Sequence, residues 1–243
     1  KYDDIPVKRS GGGSNEYPVL ESFVNDKLLH SHMPPYLARN IKLCGYVKPT
    51  PVQKHSIPAA IGFNDRNEAS DLMVCAQTGS GKTAAFLLPL FTRKLAVRPI
   101  ADKFGKENKS ALPIALVMAP TRELALQVGN EVEKLGRFRK DISSKVTIGG
   151  TKRDTLRPIP SVIVGTPGRL HDVMSRTPGL FKNVQTVVLD EGDTLMDMGF
   201  RPEIRRILNK LPSDRQTLLF SATMPPALKT IVSEYIKNDY KTI

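Results

Sequence analysis

Asp190, Glu191 and Asp193 stand together where an apolar run, Val187-Val188-Leu189, ends, with Gly192 set among them. So many carboxylates at one strand end suit holding a cation and taking a proton from water. A second group supplies the opposite charge. Ala76 through Thr83, "AQTGSGKT", fits the phosphate-loop pattern, with alanine in the first glycine slot. Gly79 and Gly81 let the backbone N–H groups of Gln77, Thr78, Ser80 and their neighbours point into one concavity. A helix opening at Lys82 adds its positive end to that anion site. Lys82 is expected to bridge outer phosphates, and the Thr83 hydroxyl to ligate Mg²⁺. Asp190 is expected to hold the metal through its water shell. Glu191 is expected to orient and deprotonate an attacking water. Asp193 is expected to bond another loop instead of the nucleotide.

Positioning these groups requires strands. Short apolar runs occur at 71–76, 113–119, 145–148, 161–165, 186–190 and 216–222, and helix-like segments at 82–97, 122–138, 167–176, 200–210 and 225–237. Several runs are apolar at nearly every position, which implies burial on both faces and a parallel sheet. Alternating strands and helices imply an open α/β fold with ligands at the strand ends. On this reading the strand ending at Asp190 lies beside the one ending at Ala76. Residues 1–22, with "SGGGSNEYP", read as a flexible lead-in, and 23–243 as the folded domain. Residues 98–113 are charged and non-periodic, an exposed loop whose lysines either touch RNA or are merely solvated.

The 243 residues hold 36 Lys and Arg against 24 Asp and Glu, a formal charge of +12. That excess favours a polyanionic partner, nucleic acid before membrane, or serves solubility alone. No apolar run is long enough to span a bilayer, and the polar N-terminal residues do not read as a signal peptide. Cys44 and Cys75, without a CxxC, read as small buried residues in a reducing interior. An intracellular setting is expected, the cytoplasm first, with nucleus or organelle open. His30, His32, His55 and His171 lack cysteine partners at metal-ligand spacing and read as ordinary surface or interface histidines. Met196 and Met198 read as packing residues. Arg201, Arg205 and Arg206 either line an RNA side or form a solvated helix face.

Taken together, the motifs resemble those of the DEAD-box RNA helicases, and "YDDIPV" and "MDMGF" resemble the Vasa–Belle subgroup. The resemblance implies a RecA-like, mainly parallel open sheet flanked by helices on both faces, a P-loop NTPase. "GYVKPTPVQ" (45–53) is similar to the family's adenine motif. It implies that Tyr46 stacks on adenine, that Pro51 is among the residues binding the nucleotide, and that Gln53 takes both hydrogen bonds on the adenine edge. An amide fork, one donor and one acceptor, suits that task. "PTRELALQ" (Pro120, Thr121, Arg122), the pair Gly149-Gly150, and "TPGRL" (Thr166, Pro167, Gly168, Arg169) resemble the RNA-backbone motifs. Their charges, hydroxyls and exposed N–H groups suit phosphates and carry no sequence information. "SAT" resembles the motif coupling ATP to RNA, with Ser221 and Thr223 bonding toward Asp193. The implied cofactors are ATP and Mg²⁺. The implied partners are RNA, single-stranded or in short duplexes, and a second RecA-like domain beyond this chain, with no membrane.

The sequence also departs from that family. Alanine is usual where Gly192 stands. Glycine in a helix costs up to about 1 kcal/mol, and a lost packed methyl about as much. No charge or ligand is lost, so hydrolysis is expected to survive, slowed. Thr194 replaces a residue often charged. The interval from Gly150 to Thr166 is short and broken by "RPIP", where proline shortens any helix. That weakens the expected Gly149-Gly150 contact. The long interval from Phe23 to Tyr46 implies that Phe23 does not reach the adenine pocket. The expected function is an ATP-dependent RNA helicase that separates strands locally. The alternative is an ATP-gated RNA clamp with little turnover, and a DNA-directed motor is disfavoured.

Overall fold

The computed structural model describes residues 6–11, 17–63, 69–95, 112–139, 141–149, 156 and 158–243. Residues 98–111 of the expected loop, and Gly150, lie outside the described residues. The first helices are α1 (Lys27–His32), α2 (Pro35–Leu43) and α3 (Pro51–Ile61). Next come β1 (Leu72–Cys75), α4 (Lys82–Pro89), β2 (Ala115–Met118), α5 (Arg122–Leu135), β3 (Ser144–Thr147) and β4 (Val162–Gly165). They are followed by α6 (Pro167–Arg176), β5 (Thr186–Leu189), α7 (Gly192–Asp197) and α8 (Arg201–Leu208). β6 (Gln216–Ser221), α9 (Pro226–Tyr235) and β7 (Lys241–Thr242) complete the order. The strands form one seven-stranded sheet in the order β3-β4-β2-β5-β6-β1-β7, and every named pairing is parallel.

Alternation along the strands divides the core between the two faces. Val74, Val117, Val164, Val188 and Phe220 face one layer with residues of α1 to α5. Leu116, Ile163, Val187, Leu189 and Leu219 face the other, with residues of α6 to α9. Helix starts follow their local chemistry. Pro35, Pro51, Pro167 and Pro226 open helices where a missing N–H costs nothing. Thr121 caps α5 by accepting the Leu124 amide at 3.3 Å. Helix α4 was expected to run unbroken to 97. It becomes π-helical over Leu90–Leu95, directly after Pro89, whose ring nitrogen cannot donate to the turn before it.

Other expectations are corrected as well. β1 and β5 are not neighbours: β6 lies between them, paired to both. Strands that are apolar on both faces carry no mark of their lateral order, so adjacency was not legible. The lead-in reaches further into the fold than its composition implied. Tyr17 and Leu20 are buried, and the Tyr17 hydroxyl lies 2.8 Å from Ser70 Oγ. Ser10 bridges Thr242 antiparallel at the sheet edge. Cys75 is exposed, as the last residue of β1, and Met198 is half exposed.

Candidate nucleotide and nucleic-acid site

The phosphate loop leaves β1 at Ala76 and enters α4 at Lys82. Gly79 and Gly81 adopt φ of +80° and +89°, a left-handed backbone that side chains resist. Lys82 is 7 % exposed, and its ammonium donates to the Ala76 carbonyl at 3.2 Å, inside the loop. Thr83 follows in the first turn of α4. Ser80 Oγ is sequestered with no hydrogen-bond partner among the described residues.

Two strands away, roughly 10 Å along the sheet, β5 delivers the acids. Asp190 is 5 % exposed, and its Oδ1 accepts the Glu191 amide at 3.1 Å. Burial pushes its carboxyl up to about 6, against the pull of the Lys82 charge and with the push of Glu191. Lys82 and Asp190 thus stand at the loops that follow β1 and β5, on either side of β6, close enough for the one charge to be felt by the other. A buried carboxylate short of positive charge, opposite a glycine-built cradle of N–H groups, fits a divalent cation with a triphosphate. Glu191 has φ +50° and ψ +57°, as the residue that caps α7. For a non-glycine residue this is strained backbone, of the kind found where a side chain must be aimed.

Asp193 bonds to another loop, as expected. Its Oδ2 accepts the Thr223 amide at 2.8 Å and the Thr223 hydroxyl at 2.9 Å. Its amide donates to Ser221 Oγ at 3.0 Å, and Ser221 Oγ donates to the Thr223 carbonyl at 2.7 Å. Burial alone would raise the Asp193 carboxyl, but the hydrogen bonds from Thr223 and Thr194 outweigh it and hold it low. Gly192 is packed shut. A Cβ there would meet Leu219 Cδ1 at 2.8 Å and both Leu228 methyls at 3.1 Å. The expected loss of a packed methyl is therefore not a void, because two leucines occupy its space.

In the adenine motif the Gln53 amide is held against the phosphate loop: its Oε1 accepts the Thr50 amide at 2.9 Å and its Nε2 donates to the Gly81 carbonyl at 3.0 Å, leaving one N–H and one lone pair unused in these two bonds. Thr50, absent from the expected site, donates its hydroxyl to the Ser80 carbonyl at 2.7 Å. The signal for it was the capping-box spacing, Thr three residues before Gln at the start of α3. Tyr46 lies elsewhere, its hydroxyl donating to Glu131 at 3.3 Å near the far end of α5. Burial first, then Glu131, pushes that phenol up to about 12. Phe23 is buried with its ring 5.9 Å from that of Tyr46, and Pro51 opens α3.

The other motifs gather at the ends of β2, β3 and β4. Pro120 and Thr121 lead into α5, and the Arg122 guanidinium stands 3.3 Å from where a Gly149 Cβ would sit. Thr166 and Pro167 open α6, and Gly168 faces open space. Arg169 is less available than its motif implies. It pairs with Asp172 at 2.7 Å, a carboxylate that also takes Arg176 at 2.6 Å. Arg205 pairs with Glu234, and Arg206 reaches Glu203 at 3.9 Å. Among the described residues no group of three or more metal-ligating side chains surrounds a histidine, and no helix is long and apolar enough to cross a membrane.

Residues 50–231 match the family model for DEAD/DEAH box helicases. The chain belongs to the DEAD/DEAH box helicase family. One curated member it resembles is the DEAD-box ATP-dependent RNA helicase 52A of Oryza sativa subsp. japonica. The two are 39 % identical over 98 % of this chain and 39 % of the rice protein. Among solved structures it resembles S. cerevisiae Dbp5 bound to Gle1 and IP6, at TM-score 0.76 and 30 % identity, over 93 % of this chain and 53 % of that one. A DEAD box protein from Methanococcus jannaschii matches at TM-score 0.74 and 30 % identity, over 93 % and 56 %. The sheet is thus the RecA-like one of DEAD-box structures. This DEAD/DEAH box chain spans well under two thirds of each of these relatives.

Proposed function

We propose that this domain is the ATP-binding half of an ATP-dependent RNA helicase, and that it binds and hydrolyses ATP with Mg²⁺ to drive sequence-independent RNA binding and local strand separation. The observation that carries the reading is the placement of buried Lys82 and buried Asp190 in the loops after β1 and β5, on either side of β6, with Glu191 next in the chain in a left-handed backbone. The phosphate-loop N–H groups and Lys82 would hold the triphosphate. Thr83 and, through water, Asp190 would hold Mg²⁺, whose charge neutralises the phosphates. Glu191 would orient the attacking water and take its proton at the carboxylate.

A contact between two strand ends would couple this site to RNA binding. Asp193 follows Glu191 by two residues and is bound to Thr223 and Ser221 at the end of β6. A change at the nucleotide would move that contact. Arg122, Gly149 and the α6 N-terminus would hold RNA phosphates, and an Arg169 released from Asp172 would join them. A second RecA-like domain would complete both sites, consistent with relatives about twice as long. ATP turnover by the full-length protein, with and without RNA and with DNA, tests the reading. RNA-stimulated turnover abolished by Glu191→Gln is expected. ATP and RNA binding without turnover would leave a clamp, and stimulation by DNA alone would overturn RNA as the substrate.

A further inference from the structure

Helix α5 carries its exposed side about 20 Å from the RNA motifs, down to the opposite rim of the sheet. There the chain turns at Phe138, which has φ +73° and is 56 % exposed. A bulky residue in a left-handed backbone is an outlier, and this ring gains little burial in return. The surroundings hold the turn in place. Asn40 of α2, 1 % exposed, donates from Nδ2 to the Leu135 carbonyl at 2.8 Å and the Arg137 carbonyl at 2.6 Å. Arg139 pairs with Asp141 and lies over the Tyr36 ring. The Arg39 guanidinium sits 4.3 Å from the centre of the Phe138 ring. Lys42, one turn along α2 from Arg39, and Arg137 are exposed, and Arg137 also lines a cavity of about 670 Å³ with Asn40, Glu131, Glu133 and Lys134.

An aromatic ring backed by a guanidinium and bordered by cations is how sequence-tolerant single-strand binders work: a base stacks, and phosphates meet the charges. Of the two acids nearby, Glu131 is paired with a cation, whereas Glu133 keeps its charge and accepts from a serine. Glu131 takes Lys134 and the Tyr46 hydroxyl, and Glu133 takes the Ser144 amide and hydroxyl. The exposed side of α5, through Arg122, Leu126 and Asn130, leads from the motif end to this turn and its Arg137. We propose that Arg39 and Phe138, with Lys42 and Arg137, form a second RNA contact that stacks a base of a single strand leaving the site at Arg122 and Gly149. This rests on RNA being the substrate.

The test uses the full-length protein and uridine oligonucleotides of about 6 and about 16 nucleotides, with affinity read by fluorescence anisotropy. Phe138→Gly removes the ring and suits the left-handed φ, so the fold is kept and melts no lower. Affinity for the longer strand is expected to fall about tenfold, with the shorter unchanged, and Phe138→Trp to restore it. Lys42→Ala should lower the salt slope for the longer strand by about 1. Equal binding of the longer strand by Phe138→Gly and the unaltered protein overturns the second contact and leaves the patch to a protein partner. If the unaltered protein binds neither oligonucleotide, the RNA reading itself falls.

Discussion

The Asp193 carboxylate receives both the amide and the hydroxyl of Thr223, at 2.8 and 2.9 Å, across the ends of β5 and β6. This contact joins the acids after β5 to the loop after β6, and it is strongest with the carboxylate ionised. The folded group lies below its ordinary value. Its stabilisation is therefore present above the unfolded carboxyl pKa and lost as pH falls through the lower folded one.

Thr223→Ala removes the hydroxyl bond and leaves the amide bond. A loss of about 1 kcal/mol is expected near neutral pH, shrinking as pH falls below about 4. Chemical denaturation across that range checks it. In the full-length protein, ATP turnover should outlast strand separation in this variant, as a coupling contact requires.

Asp190 behaves in the opposite sense. Its folded value, about 6, is above that of an unfolded aspartate, so ionising it opposes folding above about pH 6. Asp190→Asn should raise the melting temperature of the ligand-free protein at pH 8, and the gain should shrink by pH 5. In the proposed role a proton at this carboxyl would also compete with metal. Mg²⁺-dependent nucleotide affinity, read by titration calorimetry, should weaken as pH falls through about 6, and Asp190→Asn should flatten that dependence.

Gly192→Ala gains about 1 kcal/mol of helix propensity. It also drives a methyl to 2.8 Å from Leu219 Cδ1 and 3.1 Å from Leu228. Overpacking of this kind costs about 1–3 kcal/mol, so the variant should melt no higher than the parent. Pairing it with Leu219→Val should recover the loss. A double-mutant cycle showing no coupling would refute the contact.

Gly81→Ala should be the more damaging change in the phosphate loop. The new Cβ would meet Gln53 Nε2 at 2.5 Å, in a backbone at φ +89°. Gln53→Glu would set a carboxylate against the Gly81 carbonyl and leave no donor for it, at about 1–3 kcal/mol. Melting curves and nucleotide titrations of both variants check this, and Gly81→Ala should lose nucleotide affinity even where it remains folded.

Much of this protein is local and so was legible. The apolar runs around Val74, Val117, Val164, Val188 and Phe220 marked the strands, because a strand buried on both faces leaves polar residues no position. Gly79, Gly81, Lys82 and Thr83 marked the phosphate loop, since only such residues let N–H groups converge on an anion. Long-range placement was not legible. That β6 separates β1 from β5, that Gln53 docks on Gly81, that Tyr46 turns to Glu131 and that two leucines fill the space beside Gly192 all depend on partners far away in the chain. Periodicity and spacing act over a few residues, whereas lateral strand order and side-chain packing are decided only when the whole core closes.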